Sequence, residues 1–300
     1  MHIDKRYIVH GFLPAFFSAC FFAVMATCIK AASSELPVIQ LVFLRSCVGL
    51  IIIIPFILPY GISFMKTSIF HMHVFRGLIS ISAMTCLYFA ISNIGLSEAT
   101  LLNAASPLFI ALLAVPILNE RINTRIFFIL IIGFVGVIFI LKPGTSMFTF
   151  AAIIGLCSGF FIACAKILIR YMARTEPVIR TVFYFSIFST FYSGVAMFWF
   201  WQTPTIFDLS IMILAGVCAT FGQTLLTYAF TNNEASTVSP FTYVTVLIAT
   251  LFGWVGWNEI PDIGSGIGMI FIIGSCLFLT LQGKLPSAWK MKKDLRQSNY

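Results

Sequence analysis

Arg45 stands about ten residues into an apolar run that reads from 37 to 59, with Phe43-Leu44 before it and Cys47-Val48-Gly49-Leu50 after it. A cation at the middle of such a run costs roughly 2.5–3.5 kcal/mol on insertion scales, so something must offset it. One arrangement turns the guanidinium toward an internal cavity, where its planar fork suits a carboxylate or phosphate. The other bonds it to helix carbonyls or a neighbouring segment as a brace; the sequence leaves both open. Lys166 lies toward the end of another apolar run and Lys30 near the end of the first. Each has a stem long enough to carry its charge out to the surface, or else marks a gate of the same cavity.

Uncharged polar residues inside the runs narrow the choice of lining. Tyr88, Asn103, Gln223 and Tyr243 all fall within apolar stretches, and buried amides and phenols need partners. A ligand supplies such partners, and so do bonds between helices. Pro107 and Pro240 interrupt two of the runs, and breaks of this kind belong where a helix lines a cavity rather than faces lipid. His71-Met72-His73 offers two histidines in a short connection without a third ligand, which fits solvated side chains better than a metal site. The eight cysteines lie in apolar runs with no CxxC spacing, and read as small packing residues. No cofactor or metal is expected.

Composition sets the elements that must position these groups. With 60% hydrophobic and 9% charged residues and a mean hydropathy of +1.01, the chain is an all-α membrane protein rather than a soluble one. Apolar runs give ten expected transmembrane helices, at roughly 8–31, 37–59, 73–94, 97–118, 124–142, 147–170, 178–201, 208–231, 235–257 and 262–282. The short start MHIDKRY resembles a signal n-region, but the run behind it is of full spanning length and lacks a small-x-small cleavage site, so it is expected to remain as the first helix. The net charge of +8 is dispersed between the runs and gathered in the tail at Lys284, Lys290, Lys292, Lys293 and Arg296, which points to orientation in a bilayer and not to nucleic acid. With both termini in the cytoplasm, that side receives every basic residue, Arg76 included, except Lys30, Arg45, Lys142 and Lys166.

The chain also repeats itself. Glu98 to Glu120 and Glu234 to Glu259 are both apolar runs closed by Asn-Glu; Phe16-Phe17 parallels Phe160-Phe161; Pro37-Val38-Ile39 parallels Pro177-Val178-Ile179. Five spans per half is an odd number, so the second copy enters the membrane upside down relative to the first. Two inverted five-helix repeats, over 1–145 and 146–285 with a basic cytoplasmic tail at 286–300, can exchange conformations about a membrane-plane axis and so expose a shared site to each side in turn. Gly133 and Gly136 in the fifth span, and Gly264, Gly266, Gly268 and Gly274 in the tenth, read as scaffold or a homodimer surface.

These marks together resemble the EamA-like branch of the drug/metabolite transporter superfamily: Lys30, Leu36-Pro37, Phe43-Leu44-Arg45-Ser46, Ser106-Pro107 and Asn119-Glu120, then Ser239-Pro240-Phe241-Thr242-Tyr243, Gly253-Trp254 and Asn258-Glu259. The resemblance covers essentially the whole chain. It implies a multi-pass carrier of the inner membrane for small organic metabolites, with a central cavity framed by the first four spans of each half. The segment from Ala235 to Glu259 looks like the S-adenosylmethionine and amino-acid-related carriers of that family. The small multidrug carriers of the superfamily use a glutamate in the first span, and this chain has none there. All ten acids fall in loops or near span ends, so exchange or facilitated diffusion is expected rather than obligatory proton antiport. The expected substrate-binding set is Arg45, Tyr88, Asn103, Gln223, Tyr243 and Lys166, with Pro107 and Pro240 as helix breaks or gates. A lipid flippase of the same fold is the alternative, distinguished by a laterally open groove. An enzyme is disfavoured, because no carboxylate pair, zinc-type cluster or Ser/His/Asp set lies in the runs.

Overall fold

The structure is a computed structural model and describes residues 13–118, 124–141, 150–173, 175–232 and 241–281. Among these residues every regular element is a helix and there is no strand. In chain order they are α1 (Leu13–Ala32), α2 (Val38–Ile57), two 3-10 turns (Leu58–Tyr60 and Ile62–Met65), α3 (Phe70–Asn93), α4 (Leu96–Ala104), α5 (Ser106–Leu118) and α6 (Thr124–Leu141). The second part holds α7 (Phe150–Met172), α8 (Val178–Met197), α9 (Ile206–Asn232), α10 (Thr242–Trp257) and α11 (Ile263–Leu281). Asn119-Glu120, Pro240 and the basic tail lie outside the described residues.

Five described helical stretches are long and apolar enough to cross a bilayer: Leu13–Ala32, Val38–Tyr60, Phe70–Asn93, Phe150–Met172 and Ile206–Asn232. The other expected spans are shorter, divided or, as in the 20-residue α8 with its Arg180 and its serines, threonines and tyrosines, more polar. The fourth is split at Ala105 (ψ −2°) into α4 and α5. Pro107 has no N–H to continue the ladder, and the chain closes a tight turn in which the Leu108 N–H donates to the Ala105 carbonyl at 2.9 Å. α10, at 16 residues, is about 24 Å long at 1.5 Å per residue. It ends at Asn258, whose φ of 55° puts it in the left-handed region that asparagine tolerates. The Glu259 N–H then returns to the Gly253 carbonyl at 3.1 Å. The Asn-Glu pair is thus a helix stop of the Schellman type.

Polarity is arranged for lipid outside and polar groups inside. Phe17, Ile51, Phe75, Ile138, Phe191, Ile213, Leu247 and Ile270 are exposed, whereas Ser18, Arg45, Arg76, Ser158, Ser189 and Thr227 are buried. Packing crosses between the halves in matched pairs: α1 on α9 and α7 on α3, then α2 on α8, α4 on α10 and α6 on α11. The last pair meets at its glycines. A Cβ on Gly268 would fall 2.7 Å from the Gly136 carbonyl oxygen, a spacing that only a bare backbone allows.

The two ends of the bundle are tied separately. At one end Lys30 meets Glu259, and Gln40 exchanges two hydrogen bonds with the backbone of Gln202, at 2.6 and 2.9 Å. At the other, Thr67 donates to Glu176 at 2.6 Å and Arg180 donates to the Phe64 carbonyl at 2.6 Å. The turn after α1 therefore lies at the first end and the turn after α7 at the second.

Candidate functional site

A cavity of about 140 Å³ lies between the halves. Its walls come from α1, α2, α3 and α4 and from α7, α8, α9 and the start of α10, while α6 and α11 contribute none of its lining. α1 presents Ala15, Ser18, Ala19, Phe22, Met25 and Ala26 to it, the stripe of three- and four-residue steps that one helix face produces. α3 presents Arg76, Ser80, Met84 and Tyr88, four residues apart each time.

Arg45 reaches this cavity from α2, 5% exposed. One terminal nitrogen donates to the sulfur of Met84 at 2.7 Å, and the guanidinium carbon sits 5.5 Å from the centre of the Phe185 ring. Its Nε has no hydrogen-bond partner. A thioether and a ring face are weak compensation for a buried cation, since neither supplies charge. Tyr88, fully buried beside it, donates to the Met25 sulfur at 3.6 Å. Asn103 on α4 donates to the Ser158 hydroxyl on α7 at 3.0 Å, and Gln223 on α9 donates one turn along its own helix to Thr227 at 3.2 Å. Lys166 is 7% exposed and does not extend to the surface. It donates to the Ser106 hydroxyl at 2.8 Å, at the break between α4 and α5.

The structure therefore brings Arg45, Tyr88, Asn103, Lys166 and Gln223 to one cavity. Tyr243 is not brought there. It is buried in an apolar cluster with Leu101, Leu102 and Val246, while its neighbours Thr242 and Thr245 line the cavity, because successive residues of a helix point about 100° apart. Pro107 is buried at the start of α5 beside Ser106 and is not part of the lining. Pro240 lies outside the described residues, immediately before the lining residue Phe241.

Three sequence expectations are corrected. Arg76, expected on the cytoplasmic surface, is 1% exposed and faces the cavity. It donates to the Thr181 carbonyl at 2.7 Å and stands 5.0 Å from the centre of Phe185. Lys30, read as carrying its charge to the surface or else marking a gate, does not extend into solvent but pairs with Glu259 at 2.9 Å and donates to the Ile94 carbonyl at 2.9 Å. His73, expected in a solvated connection, is buried in α3, its ring centre 4.4 Å from that of Tyr184 at a tilt of 31° and Glu176 3.7 Å away. Sequence reasoning missed Arg76 and Phe185; the one signal for Arg76 is the four-residue step that leads back from Tyr88, and Phe185, on α8, has none.

The lining thus carries three basic side chains and, among the described residues, no acid. A site of this kind attracts an anion into a surround too apolar to screen it.

Known proteins agree with this architecture. The sequence matches the EamA-like transporter family over residues 10–142 and again over 149–281. A pseudopaline exporter of Pseudomonas aeruginosa is 29% identical over 273 residues, which cover 90% of this chain and 95% of the exporter. An S-adenosylmethionine uptake transporter of Rickettsia bellii is 29% identical over 262 residues, covering 87% and 90% respectively. One solved crystal structure, 17% identical, shares the fold with a TM-score of 0.65 over 90% of this chain and 96% of its own. With both halves of the sequence matched in turn, this chain belongs to the EamA-like transporter family, a family of multi-pass membrane transporters and not of enzymes.

Proposed function

We propose that the protein is a secondary transporter of the inner membrane that moves a small amino-acid-related metabolite by alternating access, through exchange or facilitated diffusion. The observation that carries this is Arg45: a buried guanidinium facing the cavity, donating to a sulfur and lying against an aromatic ring, with no carboxylate partner among the described residues. An incoming carboxylate would supply the charge-assisted bonds that the protein leaves unmade. Asn103, Gln223, Tyr88 and Lys166 stand on other walls to hold the remaining polar groups of the substrate.

The alternating-access reading assigns ten spans to two inverted repeats, over 1–145 and 146–285, with both termini and the 286–300 tail cytoplasmic. The paired packing of α1 on α9 and α7 on α3 supports a twofold relation between the halves. So do the turns after α1 and α7, which occupy opposite ends of the bundle. The named relatives move small organic metabolites: one exports pseudopaline and the other takes up S-adenosylmethionine. Between an amino-acid-like and an S-adenosylmethionine-like substrate, the basic lining favours the one with more negative charge.

The test is counterflow in proteoliposomes holding the full chain, preloaded with unlabelled amino acids or S-adenosylmethionine and supplied with the radiolabelled compound. Accumulation that requires the preloaded compound and persists without a pH gradient is expected. Uptake that depends strictly on a pH gradient would overturn exchange or facilitated diffusion.

A further inference from the structure

We infer that the cavity has a second anion-binding residue, Arg76, and that its substrates carry two acidic groups, one for each guanidinium. The inference rests on the reading of Arg45 as a carboxylate receptor and extends it. Arg45 and Arg76 come from different helices and meet the same Phe185 ring, at 5.5 and 5.0 Å from its centre. Their guanidinium carbons are therefore no further apart than the sum of those two distances, a span that a short carbon chain bridges. Both side chains are buried, both line the cavity, and in both the Nε lacks a partner.

A second cation placed this close to the first makes no sense as a brace, because like charges repel most strongly where water is excluded. No carboxylate among the described residues contacts either one. Each guanidinium is instead tied by one neutral acceptor, Arg45 by the Met84 sulfur and Arg76 by the Thr181 carbonyl. The two tethers run to different helices, α3 and α8, so two carboxylates on one molecule can each meet one fork where a single carboxylate would have to be shared. Lys166, which donates to the Ser106 hydroxyl, adds a third basic side chain to the lining. The site therefore selects net-anionic metabolites bearing two carboxylates over zwitterions and cations of the same size.

The test uses the purified full chain in detergent at fixed ionic strength and follows its thermal unfolding. The probes are α,ω-dicarboxylates of increasing length, monocarboxylates of matching length, and methyl phosphate. The best dicarboxylate is expected to raise the unfolding temperature with a half-maximal concentration at least tenfold below that of its monocarboxylate. Arg76→Gln should erase that tenfold advantage while keeping the monocarboxylate response, and Arg76→Lys should keep part of the advantage. Arg45→Gln should lose both responses. A wild-type chain that does not prefer dicarboxylates, an Arg76→Gln variant that keeps the full preference, or methyl phosphate acting below every dicarboxylate would overturn the second site. A monocarboxylate response that survives Arg45→Gln would instead overturn the reading of Arg45. If Arg76→Gln fails to fold, Arg76→Lys with its charge but no fork decides the question by the size of the advantage it keeps.

Discussion

Lys30 and Glu259, 229 positions apart in the sequence, form an ion pair of 2.9 Å that closes one end of the bundle. Both partners are also backbone caps. The second Glu259 oxygen accepts the Leu96 N–H at 2.6 Å, at the positive start of α4, and Lys30 donates to the Ile94 carbonyl at 2.9 Å. One pair thereby joins α1, the turn between α3 and α4, and the stop of α10. With side chains only 13% and 23% exposed, it is sheltered from screening. Glu259→Gln and Lys30→Met should each lower stability, and a double-mutant cycle should give a coupling of about 1–3 kcal/mol. The exchange Lys30→Glu with Glu259→Lys should recover part of it. A coupling near zero would show that the two caps act independently.

Arg45→Ala should abolish transport while the protein still inserts and stays folded. Loss of one partner of a buried charge contact costs about 2–5 kcal/mol, so apparent affinity should fall by more than tenfold. Arg45→Lys should recover little, because an ammonium cannot present the two parallel donors of a guanidinium. Initial uptake rates at several substrate concentrations, with expression and monodispersity as controls, check both. Normal transport by Arg45→Ala would remove this residue from the site.

How far the sequence led differs from residue to residue. Arg45 was legible because a lone cation in an apolar run needs an explanation wherever it points. Arg76 was not, because it follows His71-Met72-His73 close to the start of its span, where a base reads as the edge of the membrane. Only the fold turns it inward onto Phe185, which belongs to the other half. Lys30 and Glu259 were visible singly, but periodicity says nothing of which distant residue a helix end will meet. Tyr243 shows the opposite failure. Its span lies beside the cavity, yet one residue of rotation moves the phenol into the core and leaves Thr242 and Thr245 on the lining. The doubled plan followed from repeats, but the glycines left scaffold and homodimer surface open, and only the fold pairs α6 with α11.

Gly159 on α7 lies against the backbone of α4, where an added Cβ would meet the Leu102 carbonyl oxygen at 2.7 Å and that of Asn103 at 3.3 Å. The neighbour is backbone at the helix break, which cannot swing aside as a side chain can. Gly159→Val should therefore cost about 1–3 kcal/mol in stability. It should also displace Asn103, whose amide donates to the adjacent Ser158 at 3.0 Å, and so lower substrate affinity. Asn103→Ala should lower affinity with a smaller loss of unfolding temperature. Equal affinities for Gly159→Val and the parent chain would separate this helix contact from the site.

The proposed inversion makes a prediction at two equivalent positions. Pro37-Val38-Ile39 and Pro177-Val178-Ile179 align Glu35 with Thr175, each exposed in the turn that precedes the second helix of its half. In a parallel repeat these turns would share one side of the membrane. Here the first lies at the end closed by Lys30 and Glu259, and the second at the end where Thr67 meets Glu176. In a background with the native cysteines replaced, Glu35→Cys should react with an impermeant maleimide added to intact cells. Thr175→Cys should react only after the membrane is opened, if that end faces the cytoplasm as the proposed orientation has it. Labelling of both from the same side would remove the inversion, and with it the proposed exchange of conformations that would carry a substrate bound at Arg45 from one face to the other.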